Sequence, residues 1–272
     1  MTDLRKLGKQ KRKYLPEALI FDIDGTLLDV SCSFHATAIK ASDIWWEAYE
    51  KALPPFKGNL ELIEKLKSLP GFNDDWEVSI AIILLQKYML GKSKDPREVL
   101  DSLSPNGLKD LEKKTGIFIE ENRKELIKRI CMEIYGGEKC ENFYGFKPFF
   151  WEKEGFWKRE KPIFDISEVK RKFLIGIYTG RTWKEAQNAL FQLDLKLPKS
   201  HIITSEEYKK PDPRGLFKLV QELKVNYAIY IGDSEDDRLT ALSYRKQFKF
   251  PLIEFIHAKD FTYLRFFGLR KV

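Results

Sequence analysis

A chain of 272 residues, 43% hydrophobic and 33% charged, reads as a soluble globular protein of one large or two ordinary domains, with ample apolar content for a core. Its longest apolar stretch, around Ser79 to Leu85, is too short to span a bilayer, and the N-terminus carries no apolar signal core, so a membrane protein is excluded and a cytoplasmic one expected. The formal charge of +7 fits an anionic small substrate or nucleic acid and selects neither.

Much of that excess lies in residues 1–16, at Arg5, Lys6, Lys9, Lys11, Arg12 and Lys13, which read as a solvated basic tail. The apolar run Ala18-Leu-Ile-Phe21 that follows has the character of a buried parallel strand. It breaks into Asp22-Ile-Asp24-Gly25-Thr26, which sets two carboxylates where ligands bind in open α/β sheets, outside the carboxyl ends of the strands. Two acids in an apolar segment need a cation, or one must stay protonated. Gly25 permits a tight turn, and Thr26 offers a hydroxyl and an amide to an anion. Taken alone, the segment is equally a solvated acidic turn.

From Ser33 to Lys161 apolar residues recur at helical spacing, with helices expected over Phe34 to Leu53, Leu60 to Leu69, Asp74 to Leu90, Pro96 to Leu103 and Glu121 to Tyr135. Asp74 and Glu77 have the spacing of a capping box. The aromatic strip from Phe143 to Trp157 suits packing between domains more than base stacking. The cysteines, Cys32, Cys131 and Cys140, are odd in number without paired metal-ligand spacing, and read as structural thiols in a reducing compartment.

A second strand, Lys172 to Thr179, runs into Thr179-Gly180-Arg181, where the hydroxyl, the turn and the amides opening a helix at Trp183 suit an oxyanion cradle or, more plainly, a helix cap. A third, Ser200 to Thr204, is followed by Lys209-Lys210-Pro211-Asp212-Pro213. A lysine there can reach back over the strand ends, though Lys-Pro alone is an ordinary turn. A fourth, Tyr227 to Ile231, ends in Gly232-Asp233-Ser234-Glu235-Asp236-Asp237, whose crowded acids suit a magnesium ion or simply a helix N-terminus. A fifth strand covers Pro251 to Ile256, and helices are expected over Trp183 to Leu193, Pro213 to Leu223 and Glu235 to Gln247. This alternation predicts an α/β fold: a three-layer, Rossmann-like parallel sheet formed by residues 17–32 and 162–272, interrupted by a mainly helical cap domain over 33–161.

Asp-x-Asp-Gly-Thr, Thr-Gly, Lys-Pro and Gly-Asp-x-x-x-Asp thus occur in one order, each just past an expected strand. This arrangement resembles the haloacid dehalogenase superfamily of hydrolases, most of whose members are phosphatases, in the class with a helical cap between the first and second motifs. Asp29-Val30-Ser31 and the stretch Gly71 to Glu77 are similar to a subgroup near the phosphoglycolate phosphatase-like proteins. The resemblance implies a phosphate monoester hydrolase acting through an aspartyl-phosphate. Asp22 would be the nucleophile and Asp24 the acid/base; magnesium would be held by the Asp22 carboxylate, the Asp24 backbone carbonyl and Asp233. Thr179 and Gly180, with Arg181 at their side or facing solvent, would contact the phosphate; Lys210 would fix Asp22, and Asp237 would support the metal from behind. Asp24 disfavours dehalogenation, which needs no leaving-group acid. A phosphomutase of the same superfamily would use the same aspartates, and an idle scaffold binding nucleic acid through the tail and the aromatic strip is the alternative of another class, against which four intact motifs argue. The implied partner is a small phosphorylated metabolite, with phosphoglycolate, a sugar phosphate, a nucleotide and histidinol phosphate all compatible with the motifs and specificity expected near Phe34, Trp76, Arg123 or the aromatic strip. No oligomeric state is assigned.

Overall fold

Four apolar residues with nothing polar among them can only be stable between two covered faces, and β1 (Ala18–Phe21) is buried along its whole length. The structure, a computed structural model, describes residues 15–72 and 74–272, so the basic residues Arg5 to Lys13 lie outside the described residues. After β1 the chain turns at Gly25 into β2 (Leu28–Asp29) and leaves the sheet through a π-helical turn, Ser31–His35. Seven helices follow: α1 (Ala36–Trp45), α2 (Leu60–Lys67), α3 (Asp75–Tyr88), α4 (Pro96–Leu103), α5 (Gly107–Thr115), α6 (Glu121–Gly136) and α7 (Cys140–Tyr144). The chain returns through β3 (Lys161–Pro162), antiparallel to β2, and β4 (Phe164–Asp165). It then alternates: α8 (Val169–Lys172), β5 (Leu174–Tyr178), α9 (Trp183–Gln192), β6 (Ile202–Ile203), α10 (Arg214–Leu223), β7 (Tyr227–Gly232), α11 (Glu235–Gln247), β8 (Leu252–His257), α12 (Phe261–Phe267) and β9 (Arg270–Lys271).

The main sheet has the order β6-β5-β1-β7-β8 and is parallel throughout. Because side chains alternate along a strand, β1 feeds two cores. Leu19 and Phe21 pack with Ala186, Ala189 and Leu190 of α9, while Ala18 and Ile20 pack with Leu216, Leu219 and Tyr244 of α10 and α11. Helices on both faces of a parallel sheet make the expected three-layer α/β architecture. The helical segment has a core of its own, centred on α3, where every residue from Val78 to Gln86 is buried. Gln86 is satisfied there, accepting from Trp46 Nε1 at 2.7 Å and donating to the Phe56 carbonyl at 3.0 Å. Phe34, Tyr135 and Phe143 carry the helical segment into the core on the α9 side of the sheet.

Several local expectations are corrected. The helix expected from Phe34 to Leu53 is α1 flanked by π-helical turns, and it stops at Lys51, whose φ of 51° is a left-handed cap ahead of Pro54. Asp74 caps α3 through the Trp76 amide at 2.9 Å, without the reciprocal bond a capping box needs from Glu77. Only Ile202 and Ile203 of the third expected strand are extended, because Lys199–His201 forms a 3-10 turn after Pro198. The helices α5, α7, α8 and α12 are not expected from the sequence; the large apolar residues that α5 buries are Leu108 and Leu111, too few positions to show a period. In the aromatic strip Phe143 and Phe156 are buried, while Phe149 is largely exposed. All three cysteines are free, Cys131 and Cys140 in the interior and Cys32 at the surface.

Candidate active site

Register brings the motifs together. Phe21 lies opposite Ile177 of β5 and Ile231 of β7, so Asp22, Thr179 and Asp233 emerge side by side at the carboxyl edge. The chain winds from β1 to β5 and β6 on one side and to β7 and β8 on the other, and such a reversal of strand order opens the crevice in which α/β sheets bind ligands.

Lys210 enters this crevice from the turn after β6. That turn is held by Tyr178, whose hydroxyl donates to the Asp212 carbonyl at 2.8 Å and whose ring lies so close to Gly215 that a Cβ there would sit 2.4 Å from it. The ammonium of Lys210 is 2.8 Å from Asp22 Oδ1 and 2.6 Å from Asp237 Oδ1. Burial alone would lower its pKa, but the two carboxylates outweigh that and hold it above the usual lysine value. Asp237, wholly buried, also accepts from the Ser234 hydroxyl at 2.6 Å, the Ser234 amide at 3.1 Å and the Tyr230 hydroxyl. Its burial is offset by Lys210 and these donors, and its pKa falls below the ordinary aspartate value. Asp237 is thus fully occupied in capping α11 and fixing Lys210.

Asp22 is 6% exposed, and burial outweighs Lys210 to raise its pKa well above the usual range. Asp233 is pushed up to about 7, first by burial and then by the charge on Asp237. Its carboxylate sits against Gly25, where φ is +66° and a Cβ would lie 2.1 Å from Oδ2, so the turn after Asp24 requires glycine on two counts. The carboxylates of Asp22, Asp233 and Asp237 come within 4.8 Å of one another with one ammonium among them. The three carboxyls share a single ammonium and the donors are all oxygen, which fits a hard divalent cation. With Asp237 occupied, Asp22 and Asp233 are the carboxylates left to hold it.

Thr179 is fully buried and its Oγ1 accepts from the Arg181 amide at 3.2 Å, which leaves its hydroxyl hydrogen to donate elsewhere. Gly180 is exposed at the edge. The cradle expected from the helix-opening amides does not form. The Thr182 amide donates to Glu185 at 2.8 Å and the Trp183 amide to Glu206 at 2.6 Å. Thr26 is wholly buried, its amide on the Ile23 carbonyl at 3.3 Å and its hydroxyl without a hydrogen-bond partner among the described residues.

Arg181 neither faces solvent nor stands ready for a phosphate. It is 2% exposed and grips Asp24, Nε at 2.9 Å and Nη2 at 2.6 Å from the same Oδ1. Glu160 and Tyr135 complete its surroundings, and neither shows in the sequence, because Glu160 sits in a run of charges and Tyr135 in an amphipathic helix. Nearby, Lys67 at the end of α2 pairs with Asp75 at 2.9 Å, and its charge acts on both Asp233 and Asp24. Of the expected specificity residues, Phe34 stacks on Tyr135 and Trp76 tilts against Phe34, whereas Arg123 pairs with Glu120 at the exposed surface.

Residues 165–247, from β4 to the end of α11, match a family model described as haloacid dehalogenase-like hydrolase. The fold is similar to that of phosphatase Tt82 from Thermococcus thioreducens, with a TM-score of 0.67 at 24% identity over 89% of this chain and 92% of that one. It is also similar to a predicted phosphoglycolate phosphatase from Haemophilus somnus, with a TM-score of 0.51 at 15% identity over 93% of this chain and 99% of that one. Among curated proteins, none matches. The matched segment carries Thr179, Lys210, Asp233 and Asp237, and the fold sets them beside Asp22: over residues 165–247 the chain is similar to the haloacid dehalogenase-like hydrolases.

Proposed function

We propose that the protein is a magnesium-dependent phosphatase of small phosphorylated metabolites, the activity named for the Thermococcus protein of like fold. The observation that carries this reading is the pairing of buried Asp22 with Lys210 beside Asp233, a carboxyl oriented by an ammonium among oxygen donors that suit a divalent cation. Residues 17–32 and 162–272 form the catalytic core in this reading, and 33–161 the cap that selects the substrate. A cytoplasmic setting belongs to the same proposal and suits three free thiols.

The residues have these roles. Asp22 and Asp233, with the Asp24 backbone carbonyl as a further oxygen, would hold magnesium, which would supply charge screening at the phosphoryl oxygens. The carboxylate of Asp22 attacks phosphorus, an Asp22–phosphorus bond forms as the bond to the leaving oxygen breaks, and that oxygen takes the proton of Asp24. Asp24 then removes a proton from water, whose oxygen displaces Asp22 and releases phosphate. Thr179 donates its hydroxyl to a phosphoryl oxygen, beside the open backbone at Gly180. Lys210 keeps Asp22 oriented and offsets charge on the intermediate, and Asp237 holds Lys210.

The test is phosphate release from 4-nitrophenyl phosphate with and without magnesium. Asp22→Asn should abolish it, and activity persisting in that variant would overturn the nucleophile assignment.

A further inference from the structure

Arg181 stands where three parts of the chain meet. From the helical segment comes Tyr135, whose hydroxyl lies 3.0 Å from Arg181 Nη1 and donates to Glu160 Oε1 at 2.9 Å. From the return crossing comes Glu160, whose side chain is wholly buried and takes Nη2 at 2.8 Å and Nη1 at 3.2 Å. From the outward crossing come Ser33, donating to Glu160 at 3.3 Å, and Phe34, whose ring lies 4.9 Å from the guanidinium carbon and stacks on Tyr135 with centroids 4.2 Å apart. Gln192 of α9 closes the group with a bond to Glu160 at 3.2 Å.

Glu160, Tyr135 and Phe34 meet the guanidinium directly, Ser33 and Gln192 hold Glu160, and the guanidinium holds Asp24. Both of its bonds to Asp24 converge on Oδ1 and neither goes to Oδ2. Oδ1 is committed to two charged N–H groups, which leaves Oδ2 as the Asp24 oxygen free to face a leaving group. A planar five-donor fork can fix a carboxylate in this way where a lysine, a point charge on a flexible stem, cannot.

The geometry points to Arg181 as a positioning residue that presents Oδ2 of Asp24 to the leaving group and, through Tyr135, Glu160 and Phe34, ties that presentation to the seating of the helical segment. This rests on Asp24 being the acid of the reaction. The step is the one already balanced: the proton leaves Oδ2 for the departing oxygen as the Asp22–phosphorus bond forms, and Arg181 exchanges no proton.

The experiment compares kcat/KM for phenyl phosphate, whose leaving group needs a proton, and 4-nitrophenyl phosphate, whose leaving group departs readily without one. Because kcat/KM reports transfer to Asp22 and not the later hydrolysis, their ratio isolates the donor's contribution. Arg181→Lys should lower the phenyl ester's value about tenfold more than the nitrophenyl ester's, within the range that a positioned acid supplies. Tyr135→Phe, which removes one hydroxyl and leaves the ion pairs standing, should shift the ratio in the same direction by about twofold and serves if Arg181→Lys does not fold. Equal losses on both esters in these variants would show only structural support and overturn the inference. If Asp24→Asn lost both esters equally, the acid assignment itself would fall, so the two failures are distinguishable.

Discussion

Asp233 shows how a single carboxyl ties stability to the proposed cation. Burial pushes its pKa up to about 7 from the ordinary aspartate value of 3.8, so between those values the native state binds a proton the unfolded chain does not. Its contribution is therefore fully present below the unfolded value and is lost as pH rises through the folded one. Metal-free protein should melt at a lower temperature near about pH 8 than near about pH 5.5, and magnesium should recover the difference at the higher pH because it binds the ionised form. Asp233→Asn should flatten both responses in thermal melts. A variant that kept the full magnesium response would remove Asp233 from the cation site.

At the scale of elements, α11 supplies the rear wall of the site through its N-terminus. Ser234 and Asp237 form a reciprocal cap, and the same Asp237 holds Lys210. A helix start and Lys210 thus share one carboxylate. Ser234→Ala should cost about 1 kcal/mol in urea unfolding, the usual loss of an N-cap. It should also lower kcat more than it raises KM, since Lys210 acts on the nucleophile and intermediate in the proposed reaction. The expected span of α11, Glu235 to Gln247, coincides with the observed one, because dense acids, a cap and a long amphipathic run define it locally.

For the whole molecule, the helical segment and the two faces of the sheet have separate cores. Ile82 lies in the helical core and Leu219 under the sheet, each with no exposed surface. Ile82→Ala and Leu219→Ala should each cost about 2–5 kcal/mol. Sharing no partners, their costs should add to within about 0.5 kcal/mol in the double variant. Strong coupling would mean the two cores respond as one. Contact between the segments includes Tyr135, Phe34, Glu160 and Arg181, where polar bonds and stacked rings meet beside Asp24, and the bonds of Lys139 to Asn188 and Tyr144 to Glu185.

The five sheet strands, the helices α9, α10 and α11 and the four motif turns are legible from local chemistry. Apolar runs four to six residues long, ended by glycine, proline and acids, have few other places to go in a parallel sheet. Proximity of the motif residues followed from that topology, because parallel strands deliver every carboxyl end to one edge. Partnership did not. Arg181 read as a phosphate contact or a solvated side chain and is instead buried on Asp24; Trp183 read as an amide donor to an anion, and its amide belongs to Glu206. Glu160 and Tyr135 carried no signal at all. Such pairings join residues far apart in the chain, and burial in a shared low-dielectric crevice decides them, a property of the packed molecule that no local window contains.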